Sequence, residues 1–361
     1  MIEFIPLQSY ALVVNTLVMV VVALLALLVM RHPHAVVEQP GVRNKVPKAL
    51  GETVVIALCV LVGLRPISYA FGDMGNYYKR FVEYAAGAMP DGRDALFEGI
   101  MWLFAQVNAP ALFFLFCALV YVIPLRIASQ RLLANYWPLG FLFLIAHISF
   151  YGFAVNGIRN GMAMSLFTLA ITYRGWRSWA LMAAAIGLHG SLILPIVAWA
   201  AASFGFRAKW AITFWIVCLL VSLAVPGVAT MLASSLPVDD RLEQYAAIAG
   251  QYDDQFSATG FRWDFVLYGA LPIAVGAFFI FHKRRFDAFY LKVFSTYVIT
   301  NAVWLLLITL PFSNRFAYLS WGIMGLVIAY PLIKWKVFKQ QQFVFAVLLV
   351  GLAGFSFVSQ L

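Results

Sequence analysis

Arg159 stands at the lip of an apolar run, just after Asn156 and Gly157 and before the small residues Gly161, Ala163 and Ser165. An arginine at such a place costs free energy unless it pairs or faces a polar cavity. It either snorkels to an interface or belongs to a built site, and the small residues let a second helix approach closely. His189 interrupts residues 177–204, which are otherwise almost continuously apolar. An imidazole there is either a satisfied structural group or a group that titrates near neutrality and can act as general base or phosphate donor. Asp73 lies in R-P-I-S-Y-A-F-G-D-M-G-N-Y-Y, where Gly72 and Gly75 mark a turn. Its carboxylate can accept a proton from a sugar hydroxyl, hold an arginine, or simply be solvated, and Glu98 in F-E-G-I is a further candidate base. Arg65, Arg241, Arg262 and Arg315 are guanidinium groups that match phosphate oxygens bidentately. Converging, they would suit a pyrophosphate; singly, each is a salt-bridge partner for nearby acids.

Other chemistries lack their residues. There is no P-loop, no G-x-S-x-G and no dinucleotide fingerprint. The pairs Asp239-Asp240 and Asp253-Asp254 read as solvated loop acids, so no metal and no cofactor is expected. His147 has no companion and reads as structural. Cys59, Cys117 and Cys218 all fall inside apolar spans and read as small core residues rather than disulfides or metal ligands.

The elements that must position these groups follow from composition. Of 361 residues, 63% are hydrophobic and only 11% charged, against about a quarter charged in a soluble domain. Such a surface needs lipid as solvent, and in lipid every backbone polar group must be paired internally, which leaves helices or closed barrels. The apolar runs are long and do not alternate, as at residues 11–30, which selects helices. The expected fold is therefore an all-α polytopic transmembrane bundle forming one domain over residues 1–361. It has about 11–12 membrane segments, counting a short broken helix pair. Spans are expected near 10–30, 108–128, 210–232, 263–282, 289–311, 315–333 and 342–360, with shorter ones near 50–66, 136–151 and 159–173.

Charge resolves the ambiguous stretch 177–204. If the chain turns back at His189-Gly190, 17 of the 25 Lys and Arg residues fall on one side, which becomes the cytoplasmic side. On the same reading 12 of the 15 acids fall on the other side. The net charge of +10 is thus a topology signal and implies no nucleic-acid partner. Each half of the broken pair, at about 20 Å, is shorter than the ~30 Å hydrocarbon core. A break at that depth commonly lines a polar cavity. No positive charge precedes the first apolar run, so that run is expected to be retained rather than cleaved. Residues 65–107 and 232–262 are long extracytoplasmic loops expected to fold over the site; Leu96, Ile100, Leu103 and Phe104 recur at helical spacing within the first.

Three patches in order resemble the EpsG family of polysaccharide-biosynthesis membrane proteins, related in role to Wzy polymerases. They are G-D-M-G-N-Y-Y-K-R-F at 72–81 followed by Glu98, N-G-I-R-N-G-M-A-M-S at 156–165, and L-H-G-S-L-I-L-P at 188–195. Asn314-Arg315-Phe316-Ala317-Tyr318 also fits. Asn160 replaces the commoner Gln, and Leu192 follows Ser191 where Ala is usual. The resemblance implies a polymerase of undecaprenyl-pyrophosphate-linked oligosaccharide repeat units in O-antigen, capsule or exopolysaccharide synthesis. It would be a multi-pass protein of the bacterial inner membrane with its site facing the periplasm. Its partners would be the lipid-linked glycan, the bilayer and a chain-length regulator protein. On this reading His189, Asp73, Glu98 and Arg159 are catalytic. Arg65, Tyr77, Tyr78, Asn156, Arg241, Tyr245, Arg262 and Arg315 bind the substrate or its pyrophosphate. A lipid-linked-glycan transporter or flippase, another membrane glycosyltransferase or O-antigen-ligase-like enzyme, and a non-enzymatic scaffold are the alternatives.

Overall fold

The computed structural model describes residues 2–32, 35–37, 46–92, 94–235 and 260–359. Among them every regular element is helical. In chain order these are α1 (Tyr10–Arg31), α2 (Lys48–Gly63), α3 (Met74–Ala85), α4 (Ala95–Gln106), α5 (Pro110–Leu133), α6 (Trp137–Ile145), α7 (Ser149–Val155), α8 (Ile158–Ala170) and α9 (Trp176–Leu188). There follow α10 (Ile193–Ser203), α11 (Ala208–Ala224), α12 (Val228–Ser235), α13 (Trp263–Ala277), α14 (Ala288–Leu306), α15 (Asn314–Trp321), α16 (Met324–Lys334) and α17 (Gln341–Val358). Six helical stretches among the described residues are long and apolar enough to cross a bilayer. The protein is a polytopic helical membrane protein. The chain divides into two compact units, one of residues 1–192 and 332–361 and the other of residues 193–331.

In the first unit, Leu7–Arg31 forms one apolar rod of 25 residues, about 37 Å long and sufficient to span a ~30 Å core. One face, through Val14, Val18, Val22, Leu25 and Val29, is buried against α17 and α2. The opposite face carries Leu12, Val20, Leu24 and Leu27, about half exposed. A helix apolar all round, with its outer leucines uncovered, is built for lipid. The long stretch Pro110–Ile145 is broken where Ala134 adopts φ 46, leaving α5 as the central rod, with α2 and α8 packed on it. Gly63 makes the α2–α5 approach possible: a Cβ there would lie 2.8 Å from the Leu115 Cα. The small residues of α8 serve the same end, and Ser165 Oγ donates to the Tyr121 carbonyl at 2.5 Å.

The segment expected to loop over the site contains two 12-residue helices, α3 and α4. Helix α4 packs on α3, α5 and α9, with Leu96 against Gly187. The expected break appears at His189. Helix α9 ends at Leu188, His189 is extended at φ −159 and ψ 117, and the single turn Gly190–Leu192 precedes α10.

In the second unit α10 and α11 pack on α14. Buried Asn301 ties three helices together, accepting from Trp215 Nε1 at 2.8 Å and donating to Ser320 Oγ at 3.0 Å. Of two spans expected to be continuous, one is divided and one runs through. Residues 210–232 break at Pro226-Gly227, where Gly227 has φ 75. Residues 315–333 lie in one apolar helical stretch of 21 residues, Asn314–Lys334, in which Gly322 keeps a helical φ −58 and ψ −25. At 226–227 the glycine lets the backbone leave the helix, and an apolar periodicity cannot show a break that leaves composition unchanged. Most of the expected loop 232–262 lies outside the described residues. The three cysteines are free and buried.

Candidate functional site

The first unit gathers its charges at the start of α4. Asp94 precedes the helix at φ 46 and ψ 51, a left-handed conformation that Asp tolerates better than most residues. Glu98 follows one turn later, and residues four apart share a helix face. Asp94 and Glu98 therefore present two carboxylates side by side.

Asp94 is the hub. Arg159 Nη1 donates to its Oδ2 at 2.7 Å. His189 Nδ1 lies 3.4 Å from the same oxygen, and the Gly190 backbone N–H donates to Oδ1 at 3.0 Å. The break after α9 does this: it exposes the Gly190 amide and swings the imidazole toward the same carboxylate. Nδ1 donates to the ionised carboxylate, and in the neutral ring that makes Nε2 the accepting nitrogen. The Arg159 guanidinium sits 5.4 Å from the Tyr77 ring centroid and 5.7 Å from that of Phe97, which favours a cation there. Its Nε reaches the Tyr77 hydroxyl at 3.4 Å. Nη2 takes no part in these contacts.

Glu98 is 2% exposed. Tyr84 OH donates to its Oε2 at 2.6 Å, Arg80 Nε lies at 3.3 Å, and Arg159 Nη1 lies at 3.8 Å from Oε1. Arg80 pairs in turn with Asp91. The result is a continuous chain of charge from Asp91 through Arg80, Glu98, Arg159 and Asp94 to His189.

The electrostatics follow. Burial raises Asp94, but hydrogen bonding to His189, the charges of His189 and Arg159 and the Gly190 amide outweigh it and hold the carboxyl down to about 2. It is ionised throughout the neutral range. Burial lowers Arg80, but its bonds to Tyr84 and Asp91 and the Glu98 charge raise it overall. The Tyr84 hydroxyl is pushed up to about 12, first by burial and then by donation to Glu98.

The structure brings His189, Arg159, Glu98 and Tyr77 together, with Asn156 and Asp73 beside them. Asn156 Oδ1 accepts from the Asp73 backbone N–H at 2.9 Å. That bond demands glycine at 72: φ is 63, and a Cβ would fall 2.5 Å from Asn156 Oδ1. The Asp73 carboxylate itself faces Asn76 Nδ2 at 3.4 Å. Tyr78 is 39% exposed. Two buried polar atoms close in sequence to the hub, Asn160 Oδ1 and Ser191 Oγ, have no hydrogen-bond partner; the 190–192 turn carrying Ser191 packs on α8, which carries Asn160.

Arg65 is placed differently. It is 1% exposed, its terminal nitrogens donate to the carbonyls of Val62 and Val155, and the Phe71 and Phe114 rings lie over it at 5.5 and 5.9 Å. It ties α7 to the end of α2. His147 is also enclosed, with Nδ1 on Ser149 Oγ at 2.5 Å.

The second unit holds Arg262 and Arg315. Arg262 grips Asp264 with two bonds, at 2.9 and 2.6 Å, and lies 3.8 Å from the Phe265 ring centroid. Arg315, in the first turn of α15, lies 5.3 Å from the Phe312 ring centroid, and Phe312 itself has φ 58. Asn314 Nδ2 donates to the Tyr318 hydroxyl at 3.2 Å. Arg241 and Tyr245 lie outside the described residues. Among those described, no three His, Cys, Asp or Glu residues gather in a group that could hold a metal ion.

Asp94, Arg80 and Tyr84 escaped the sequence reading. The signal for Asp94 was available: an acid four residues before Glu98 at the head of an apolar helical period, in a chain whose lipid-edge arginine needed an anion. Residues 48–360 match the sequence model of the EpsG family. No curated protein and no solved structure matches the chain.

Proposed function

The chain belongs to the EpsG family of polysaccharide polymerase-type membrane proteins, and from that membership we propose that it joins lipid-linked oligosaccharide repeat units by glycosyl transfer. The observation that carries the reading is the convergence of Arg159 and His189 on the single carboxylate of Asp94. The substrate is an undecaprenyl-pyrophosphate-linked glycan drawn from the bilayer, and the site faces the outside of the bacterial inner membrane.

The donor carries its own activation in the bond between the anomeric carbon and the pyrophosphate oxygen. The acceptor hydroxyl attacks that carbon, the carbon–oxygen bond to pyrophosphate breaks, and lipid pyrophosphate leaves with the bonding electrons. The hydroxyl proton goes to His189 Nε2. Asp94 fixes the ring so that Nε2 is the accepting nitrogen and stabilises the imidazolium that forms, a role worth about 10²–10⁴ in rate for a positioned base. Arg159, oriented by Asp94, Tyr77 and Phe97, offers Nη2 to the departing pyrophosphate, where charge develops in the transition state. Arg262, Arg315 and Arg241 remain phosphate-binding candidates on their residue type alone, since guanidinium groups match phosphate oxygens bidentately. Tyr77 and Asn156 shape the sugar subsite with Asp73 at its rim, while Glu98 holds Arg80 and Arg159 in place. Arg65 uses its two terminal nitrogens on carbonyls, leaving Nε buried without a hydrogen-bond partner, and serves as a structural tie. The unpartnered Asn160 Oδ1 and Ser191 Oγ support a ligand here, since an unpaired buried polar atom costs about 1–3 kcal/mol.

The test is reconstitution in vesicles with lipid-linked repeat units. His189→Gln and Arg159→Ala are expected to abolish chain extension while the protein remains folded and monodisperse. Wild-type product lengths from both variants would refute the assignment. A lipid-translocation assay run beside it separates polymerisation from transport.

A further inference from the structure

The second unit contains an open cleft of about 560 Å³ that the glycosyl-transfer reading does not use. It lies where three apolar helices end: α11 begins at Ala208, the π turn extending α13 stops at His282, and α14 begins at Ala288. The cleft walls are mainly apolar, with Phe206, Phe281 and Leu291 among them; Ser295 adds a hydroxyl, and the charged groups are Arg207, Lys209 and Lys292. No acid lines it. The nearest in sequence, Asp287, is occupied by the Tyr290 backbone N–H at 2.7 Å and the Tyr330 hydroxyl at 2.7 Å. The exposed run Lys283-Arg284-Arg285 adds positive charge beside it.

Two features identify the depth. The ends of three membrane-length or apolar helices mark the boundary between hydrocarbon and water. Exposed aromatic side chains gather near the same helix ends, with Phe204 90% exposed and Phe206, Trp210, Phe281 and Phe286 also uncovered, and Trp210 is of the type that membrane interfaces favour. Three cations over apolar walls at that height match an anionic headgroup above acyl chains. Basic residues scattered on a flat surface would serve topology alone; here they rim a concavity large enough for a phosphodiester and the first segments of its chains.

We propose that this cleft binds one anionic phospholipid. Arg207, Lys209 and Lys292 take the phosphate, and the acyl chains run along Phe281 and Leu291. The aliphatic stems of the lysines lie along apolar surface while their ammonium groups face the phosphate; Lys292 Nζ is 5.9 Å from the Trp199 ring centroid and Lys209 Nζ 5.1 Å from that of Trp210.

The experiment titrates the full-length protein, purified in neutral detergent, with phosphatidylglycerol and with phosphatidylcholine, reading bound lipid by native mass spectrometry. One tightly held phosphatidylglycerol per chain is expected, and the triple variant R207Q/K209Q/K292Q should weaken it at least tenfold with phosphatidylcholine unaffected. Leu291→Trp, which fills the cleft without touching charge, should also lower occupancy. Glycerol 3-phosphate in millimolar excess should not displace the lipid. The proposal is overturned if the triple variant binds as wild type, if K334Q/K336Q/K339Q in the other unit weakens binding equally, or if the free phosphate ester competes as well as the lipid.

Discussion

Replacing Asp94 by Asn removes one charge and keeps the shape of the side chain, so it isolates what that charge does. In the wild type the carboxylate is 9% exposed and binds Arg159 Nη1 at 2.7 Å and His189 Nδ1 at 3.4 Å. Its value of about 2 against an ordinary 3.8 corresponds to about 2 kcal/mol of stability at neutral pH. Because the folded value is the lower one, that stability is fully present above about pH 4 and fades as pH falls toward 2. Breaking a buried pair outright costs about 3–5 kcal/mol. Here Arg159 keeps Glu98 at 3.8 Å and the Tyr77 hydroxyl, so a loss of about 2–3 kcal/mol is expected. Turnover should fall further than stability implies, by about 10²-fold or more, because His189 loses the group that sets its tautomer. The assay pairs thermal unfolding from pH 3 to 8 with single-turnover chain extension in vesicles. The variant should be less stable at pH 7, should converge with wild type toward the acid limit, and should keep KM for the lipid-linked unit while losing turnover. Asp94→Glu should recover part of it. An Asp94→Asn protein with wild-type turnover, or one whose stability deficit stays constant down to the lowest pH, would refute the reasoning.

Other perturbations separate structure from chemistry. Gly72→Ala combines a positive φ with a Cβ 2.5 Å from Asn156 Oδ1; it should cost at least about 1–2 kcal/mol in thermal unfolding and lower chain extension by displacing Asn156. Arg65→Met should destabilise by about 1–3 kcal/mol, since it strands buried carbonyls, and leave KM unchanged; a selective rise in KM at wild-type stability would return Arg65 to the binding site. Arg262→Gln removes a partly exposed pair with Asp264, so stability should change by less than about 1 kcal/mol while KM for the lipid-linked donor rises. Unchanged kinetics in that variant would remove Arg262 from the pyrophosphate contacts.

The all-helical membrane class was legible because it rests on composition: so few charges over so many apolar residues leave only lipid as solvent, and lipid leaves only helices for runs that do not alternate. The break at His189-Gly190 was legible from charge arithmetic, since no other count put the basic clusters on one side. Arg159 and His189 stood out because a charge or imidazole inside apolar sequence is expensive whatever surrounds it. What tertiary structure decided was pairing. Asp94 looks like any acid in a long loop until a left-handed turn and the freed Gly190 amide place it under both Arg159 and His189. Arg65 looks as available as Arg159 until its terminal nitrogens are seen on the carbonyls of Val62 and Val155, distant in sequence from each other. One-dimensional patterns report the solvent each residue requires, because transfer free energy belongs to the residue alone. They do not report which buried cation meets which anion, because that depends on where separate helices end in space.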